Sequence, residues 1–486
     1  VTVPLDIDVQ RLPERLKPDS GRVILRPFRP GDEQRIRNIL QRILDLPIEQ
    51  VEMLVPRLRS EFGSKHPDLE DAVADHFEDV AEFLPTGAQP DENRRWLMGA
   101  YCTMEYAIES AALFNPSMVP RSDQRGSAPG STSFLMSLRA VGEGHISSIV
   151  FRTGTIDREC KVTLDPPSPY ARTLKVEENR SFEKRTFLLK IIEMGAYTDL
   201  AGAVFDRLNE TFDMHELNEA VEAVRSTHEQ PAVLRETVDN ILSLARSNYH
   251  IRIPKGHDPS EIVIFPSAET ESHGIEDVRL VLFADEDGGH RIYGTYTAYN
   301  GFHIVPQLMD INDYMLKVHT LSGLYAQNKG MALFPRKLGD RYAMISRLDN
   351  ENIFLMYSEN VRFWNSAEVI QTPKFPWELI QLGNCGSPLE TDAGWLLLTH
   401  GVGAMRRYCI GATLLNHENP ARVIGQTREP ILVPRGEERT GYVPNVVYSC
   451  GGMIHNDRLI IPYGMSDIAT GFASVSLADL LRVLKG

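Results

Sequence analysis

The chain has 486 residues, 42% of them hydrophobic and 24% charged, with a formal net charge of −15. That balance is ordinary for a globular protein with a large core and room for more than one structural unit. The charge is spread without a basic block, which argues against nucleic acid and anionic membrane as partners. Five cysteines, Cys102, Cys160, Cys385, Cys409 and Cys450, form no C-x-x-C pair, so neither a disulfide framework nor a zinc knuckle is expected. The first residues, V-T-V-P-L-D-I-D-V, lack a basic flank and an apolar run, and no stretch of about 18 apolar residues occurs. A soluble, cytoplasmic setting is the expectation.

In chain order, residues 1–30 are rich in Pro and Arg and predict one strand over 22–28. From 31 to 113 the pattern predicts helix. Ile36, Ile39, Leu40 and Ile43 recur at helical spacing, as do Val73, Phe77, Val80 and Phe83, and an Ala- and Met-rich run follows over 96–113. Pro116 and Pro120 are read as the stop. Strands are predicted at 134–138 and 142–152. Residues 178–248 return to helical spacing through Phe187, Ile191, Leu217, Val221, Val238 and Ile241, and read as an insertion or helical arm in a β-pattern that resumes at Tyr249.

From 249 onward a unit repeats: a Gly-, Asp- or Asn-rich turn, an apolar strand, and a polar residue where the strand runs out. The units are 287–299, 338–347, 391–400 and 455–467, and 133–139 makes a fifth. Most of this spacing is that of four-stranded propeller blades. The predicted fold is mainly β: a five-bladed β-propeller with an added α-helical N-terminal region and a helical insertion, the ring closed by a last strand over 472–477. A β-sandwich with helices is the rival. The expected division is 1–113 (N-terminal segment and helical subdomain), 114–177 (first part of the propeller), 178–248 (helical insertion) and 249–486 (remainder of the propeller).

If the apolar strands lie near a ring axis, their polar ends, Arg139, Tyr296 to Tyr299, Arg347, His400 and Asp467, line one mouth of a channel, a plausible place for a polar, anionic or sugar ligand. Tyr296, Tyr299 and Tyr463 would suit the apolar faces of a sugar. The segment H-G-I-E-D-V-R-L-V-L at 273–282 adds Glu276, Asp277 and Arg279. In an extended strand Glu276 and Asp277 point to opposite faces, and Asp277 shares its face with Arg279. Each residue also has a plain structural reading. His400 can be a hydrogen-bonded core histidine, Arg139 and Arg347 ion pairs between sheets, Asp467 a turn carboxylate, and Lys329 a solvated lysine. The functional reading rests on the recurrence of reactive side chains at equivalent positions of several repeats. No metal site is expected, since His400 lacks a partner at ligand spacing.

Several segments in order carry a resemblance: F-N-P-S at 114–117, G-I-E-D-V-R at 274–279, N-K-G-M-A-L-F-P-R-K-L-G-D-R-Y-A-M-I-S-R at 328–347, G-W-L-L-L-T-H-G-V at 394–402, Y-V-P-N-V-V-Y-S-C-G at 442–451 and Y-G-M-S-D at 463–467. Through them the chain resembles glycoside hydrolase family 130, five-bladed propellers that phosphorolyse or hydrolyse β-mannosides; the two helical regions lie outside the resemblance. It implies that Asp277 is the general acid, with Val278 replacing the proline of the family's E-D-P-R motif. It implies that Asn115, Ser117, Arg139 and Asp467 contact the mannosyl unit at the cleaved bond and that Lys329, Arg347 and His400 hold inorganic phosphate; Glu276 and Tyr296 are further candidates for binding the substrate. Gln381 and Glu390 stand where many phosphorylases have lysines, and Glu390 is a candidate base for a hydrolytic member.

The reaction so implied is inverting phosphorolysis to mannose 1-phosphate, with phosphate as co-substrate and no cofactor. Asp277 supplies a proton, in the family through a sugar hydroxyl, while a phosphate oxygen attacks the anomeric carbon from the opposite face. Phosphate is already an anion, so the protein's task is to hold and orient it. Asp277 would need a raised pKa, pushed up by Glu276 and opposed by Arg279. A β-mannoside hydrolase, a β-mannosyltransferase and a non-catalytic sugar-binding propeller are the alternatives. The helical regions are candidates for capping the site or for joining copies into a homo-oligomer.

Overall fold

The computed structural model describes residues 7–179, 181–227, 231–301, 304–312 and 314–485. The chain is mainly β, and among the described residues five sheets have four or more strands. The first contains Ala112–Pro120, Thr132–Val141, Ser147–Ile156 and Ile262–Ile264 in that order across the sheet, the second Ile275–Ala284, His290–Tyr299, Ile304–Asn312 and Met315–Thr320. The third is Lys329–Leu333, Tyr342–Arg347, Ile353–Ser358 and Ala367–Gln371; the fourth is Gln381–Asn384, Gly394–Gly403, Arg407–Leu415 and Val423–Gln426. The fifth runs Val447–Tyr448, Arg458–Met465, Ala469–Ser476, and its outer strand is Val9–Leu16, which pairs antiparallel from Val9 opposite Val475 to Leu16 opposite Thr470 with a slip between Arg11 and Arg15. The inner three strands of the first two sheets, the third sheet, and the middle pairs of the fourth and fifth are antiparallel neighbours that follow one another in the chain, while Ile262–Ile264 reaches the first sheet from beyond the second helical group.

Apolar side chains join the sheets in a cycle. Phe151 and Val119 of the first pack on Leu280 and Tyr249 of the second; Phe283 and Tyr293 of the second pack on Met331 and Met344 of the third. Phe334 and Ile345 of the third meet Trp395 and Leu397 of the fourth, and Leu398 and Ile410 of the fourth meet Ile461 and Tyr463 of the fifth. Ile460 and Phe472 of the fifth return to Phe134 and Met136 of the first. Every sheet thus buries both faces, which is why Gly394–Gly403 is buried from end to end. The first strands touch one another on the inside: the Leu280 amide donates to Ser117 Oγ at 2.9 Å, and the Met118 amide donates to the Gly451 carbonyl at 3.1 Å.

Two helical groups have their own cores. Glu33–Leu44, Ile48–Gly63, Leu69–Glu78 and Glu92–Tyr101 gather Leu40, Val51, Val73 and Leu97. Lys184–Glu193, Asp199–Phe205, Met214–Arg225 and Pro231–Arg246 gather Phe205, Leu217, Val221 and Ile241. Asp213 closes a capping box with Glu216 at the start of the third of these. Among the described residues no helix is long and apolar enough to cross a membrane.

The helix expected through 96–113 ends at Tyr101. Thr103–Glu109 and Ala112–Pro120 are strands, and Pro116, read as a helix stop, lies inside the second at an irregularity of the ladder, where its missing N–H costs no pairing and its carbonyl accepts from the Cys450 amide at 2.9 Å. The N-terminal segment holds two strands, Val9–Leu16 and Asp19–Pro27, where one was expected. The last strand of the ring ends at Ser476 and gives way to a helix, Leu477–Lys485, that the strand-and-turn reading of the C-terminal half passed over.

Candidate active site

The repeated units of the sequence are the second strands of the five sheets, and the innermost strand is the one before. These inner strands are interrupted at a common level. The ladder slips between Phe114 and Ser117, between Glu276 and Arg279, and between Lys329 and Ala332. The fourth and fifth inner strands break outright, Gln381–Asn384 from Leu389–Thr391 and Val447–Tyr448 from Met453–His455. At the first two slips a polar residue takes a left-handed backbone, Asn115 with φ 49° and Asp277 with φ 54°. Bulges of this kind turn a side chain out of the strand's alternation.

That corrects the expectation that Glu276 and Asp277 face apart. Both carboxylates meet one guanidinium, with Arg139 Nη2 donating to Glu276 Oε1 at 3.0 Å and Arg139 Nη1 lying 3.8 Å from Asp277 Oδ1. Asn115 Nδ2 also donates to Asp277 Oδ1, at 2.8 Å. Arg279 is not beside the Asp277 carboxylate as expected. It is buried, and donates to the Asp277 carbonyl at 3.0 Å and to the Tyr448 hydroxyl at 2.7 Å.

The polar contacts continue from sheet to sheet. Lys329 Nζ donates to Glu276 Oε2 at 2.6 Å, so the lysine is held rather than solvated. Lys329 and Arg347 are direct cross-strand partners in the third sheet. Arg347 Nη1 lies 3.2 Å from His400 Nε2, and Gln381 Nε2 lies 3.3 Å from the same nitrogen. The His400 ring stands edge-on to Tyr448 of the fifth sheet, with centroids 4.8 Å apart. Asp467, on the turn between Arg458–Met465 and Ala469–Ser476, completes the circuit through its electrostatic interaction with Arg139 of the first sheet. Two glycines permit the approach. A Cβ on Gly383 would stand 2.5 Å from His400 Cε1 and 2.9 Å from Arg347 Cδ, and one on Gly464 would stand 2.8 Å from Asn115 Oδ1.

Burial opposes the Glu276 charge, but Arg139 and Lys329 outweigh it and hold this carboxyl below its usual range. Burial, the neighbouring Asp277 and the Glu276 carboxylate push Asp467 the other way, up to about 6, against Arg139 and Arg406. Burial, Arg347 and Arg279 drive the His400 pKa far below the ordinary value, so the imidazole is neutral. With Arg347 and Gln381 both directed at Nε2, that nitrogen accepts and the proton sits on Nδ1. His400 therefore orients Arg347 in this arrangement, where the sequence had it donating directly to an anion.

Of the residues singled out from sequence, Asn115, Arg139, Glu276, Asp277, Lys329, Arg347, His400 and Asp467 lie on this circuit. Ser117 is beside it with its hydroxyl engaged by the Leu280 amide, and serves the strand packing. Tyr296 is not part of it. It alternates with Thr297, the residue paired with Glu276, and so faces the opposite side, where its hydroxyl donates to the buried Glu271 at 2.7 Å. Tyr463 likewise donates to Glu438 at 2.6 Å, and Tyr299 to the Gly301 carbonyl at 2.8 Å. Glu390 is distant. It pairs with Trp395, five residues and about 16 Å of strand from His400, and its carboxylate is exposed between Arg336 at 2.5 Å and His417 at 2.8 Å. Tyr448 was missed; it stood inside a quoted motif, but no charge or spacing marked it. Among the described residues no group of three or more His, Cys, Asp or Glu is placed to hold a metal ion.

The chain belongs to glycoside hydrolase family 130: residues 234–486 match the family model described as β-1,4-mannooligosaccharide phosphorylase. It is 34% identical over 230 residues to a 1,2-β-oligomannan phosphorylase of Thermoanaerobacter sp., a match covering 45% of this chain and 73% of that one. It is 25% identical over 249 residues to a β-1,2-mannobiose phosphorylase of Listeria innocua, covering 49% of this chain and 69% of the relative. Among solved structures it is similar to the Listeria innocua β-1,2-mannobiose phosphorylase in complex with β-1,2-mannobiose, at 18% identity and a TM-score of 0.45, over 78% of this chain and 93% of that one.

Proposed function

We propose that the protein is a β-mannoside phosphorylase, which cleaves a β-mannosyl linkage with inorganic phosphate and releases mannose 1-phosphate and the shortened acceptor. The observation that carries the site assignment is the circuit of polar contacts through all five sheets, with carboxylates on one side, Asp277, Glu276 and Asp467, and Arg347 with its His400 and Gln381 partners on the other. Family membership and the phosphorylase relatives support the reaction class, and the β-1,2 relatives favour β-1,2-linked mannooligosaccharides. We read the five cyclically packed sheets as the blades of a five-bladed propeller spanning 114–177 and 249–486, with the segments 1–113 and 178–248 as additions.

In this reading Asn115, Arg139, Glu276 and Asp467 hold the mannosyl unit at the cleaved bond. Asp277 gives up a proton that reaches the leaving oxygen, as the bond from the anomeric carbon to that oxygen breaks. A phosphate oxygen forms the new bond from the opposite face, so a β-linkage yields an α-phosphate. Arg347 offers a planar, bidentate grip on the phosphate, and Lys329 a point charge at its edge. The hydrolytic alternative needs a free carboxylate to activate water. Glu390 is too distant, and Glu276 is held by Arg139 and Lys329, which favours phosphorolysis.

Phosphorus and proton NMR of a β-1,2-mannobiose incubation with phosphate tests the reading. α-Mannose 1-phosphate is expected. Free mannose as the sole product, or the β-phosphate, would overturn it.

A further inference from the structure

Tyr442 is 73% exposed, yet its ring stacks on that of His145, with centroids 5.7 Å and planes 27° apart. The pair joins two loops from different sheets. His145 lies in the turn that follows Thr132–Val141, the strand that carries Arg139, and Tyr442 lies in the segment leading into Val447–Tyr448. Both neighbours of Tyr442 pack on Ser466, the residue before Asp467. The Val443 amide donates to the Ser466 carbonyl at 3.1 Å, and a Cβ on Gly441 would stand 2.4 Å from that oxygen. The stacked pair therefore lies on the rim above Asp467 and Arg139.

The fourth sheet contributes a matching turn. It follows Gly394–Gly403, the strand of His400, and presents Met405, 89% exposed, beside Arg406, whose charge acts on Asp467. His145, Met405 and Arg406 all hold left-handed backbones, with φ of 60°, 59° and 53°, a conformation that costs free energy for side chains of this size. An exposed aromatic ring, an exposed thioether and two polar heads are thus carried on segments that adjoin strands of the site. This is a surface suited to the alternating C–H faces and hydroxyl rims of pyranose rings.

We propose that Tyr442, braced by His145 and flanked by Met405 and Arg406, forms a stacking platform for mannosyl units beyond the acceptor sugar. The platform makes the enzyme prefer longer β-mannooligosaccharides over the disaccharide. This rests on the proposed function, in which the terminal unit is held among Asn115, Arg139 and Asp467, below this rim. The test is calorimetric binding of mannobiose and mannotetraose, in the β-1,2- and β-1,4-linked series, on an Asp277→Asn background that suppresses turnover. Tyr442→Ala and Tyr442→Phe are compared with that background. Preference for the tetraose is expected, with the tetraose-to-biose affinity ratio lowered about five- to ten-fold by Tyr442→Ala and kept by Tyr442→Phe. An unchanged ratio in Tyr442→Ala, with mannobiose still phosphorolysed by the otherwise native enzyme, overturns the platform alone. Failure to bind either length in either series, together with no phosphorolysis, overturns the function and the platform with it.

Discussion

Asp277 owes its position to a left-handed backbone that non-glycine residues seldom adopt, and that conformation sets its carboxylate against Asn115 and Arg139. Asp277→Asn keeps the size and the bulge but removes the transferable proton. We expect kcat to fall about 10²- to 10⁴-fold with mannobiose and phosphate, with the melting temperature nearly unchanged. Gly383→Ala probes the other side, because the added carbon meets the buried His400 ring and Arg347 stem inside van der Waals contact. It should raise the KM for phosphate more than that for the mannoside, and cost about 1–3 kcal/mol of stability in a denaturant titration. Asp467 carries a pH prediction. Its folded pKa is raised to about 6, above that of the unfolded chain, so the folded state binds the extra proton and this contribution to stability is lost as pH rises from about 4 through 6. The melting temperature of the native protein relative to Asp467→Asn should therefore fall across that window; an unchanged difference would show that the carboxyl is not held this way. The identities of these residues were legible in the sequence because reactive side chains recurred at the ends of repeated strands and within ordered motifs. Their directions were not, since strict strand alternation separates Glu276 from Asp277 and only the bulge brings them together. The same alternation rule, applied to Tyr296, would have removed it from the site.

At the scale of elements, the second strands were readable because each is a run of apolar residues ended by a polar one. The inner strands were obscured by the breaks that make them useful, as in F-N-P-S, where Pro116 reads as a helix stop but sits in a bulged strand. Both helical groups were evident from spacing, while Thr103–Glu109 was lost in the Ala- and Met-rich run before it and Val9–Leu16 among its proline and arginines. Those N-terminal strands matter to stability. Arg152 Nη2 bonds the Glu109 carboxylate at 2.7 and 2.8 Å, and Arg22 Nε stands 3.3 Å from it, all three side chains buried, so one carboxylate joins the N-terminal strands to the first sheet. Glu109→Ala leaves two buried guanidinium groups without their counterion and should cost about 3–5 kcal/mol by urea unfolding. A loss below about 1 kcal/mol would mean that the cluster is not a structural tie.

At the scale of the molecule, the fifth sheet joins residues far apart in sequence, with Val9–Leu16 as the outer strand beside Ala469–Ser476. Arg11 reinforces this join through Glu438 at 2.7 Å, and Glu438 in turn receives the Tyr463 hydroxyl and, through its carbonyl, Ser466 Oγ at 2.7 Å. The turn that carries Asp467 is therefore braced by the outer strand of the last sheet. Five sheets that each bury both faces hold five inner strands at one level, which brings residues as distant in sequence as Asn115 and Asp467 to one site, where the proposed function has them act on one sugar. The most direct test of this account is the rate of β-1,2-mannobiose cleavage as inorganic phosphate is raised from zero, following mannose 1-phosphate and free mannose together. The account predicts saturable, phosphate-dependent release of mannose 1-phosphate, with an apparent KM for phosphate that rises at least about ten-fold in Arg347→Ala, as expected from losing a charge-assisted, bidentate contact. Cleavage that proceeds without phosphate to free mannose would contradict it.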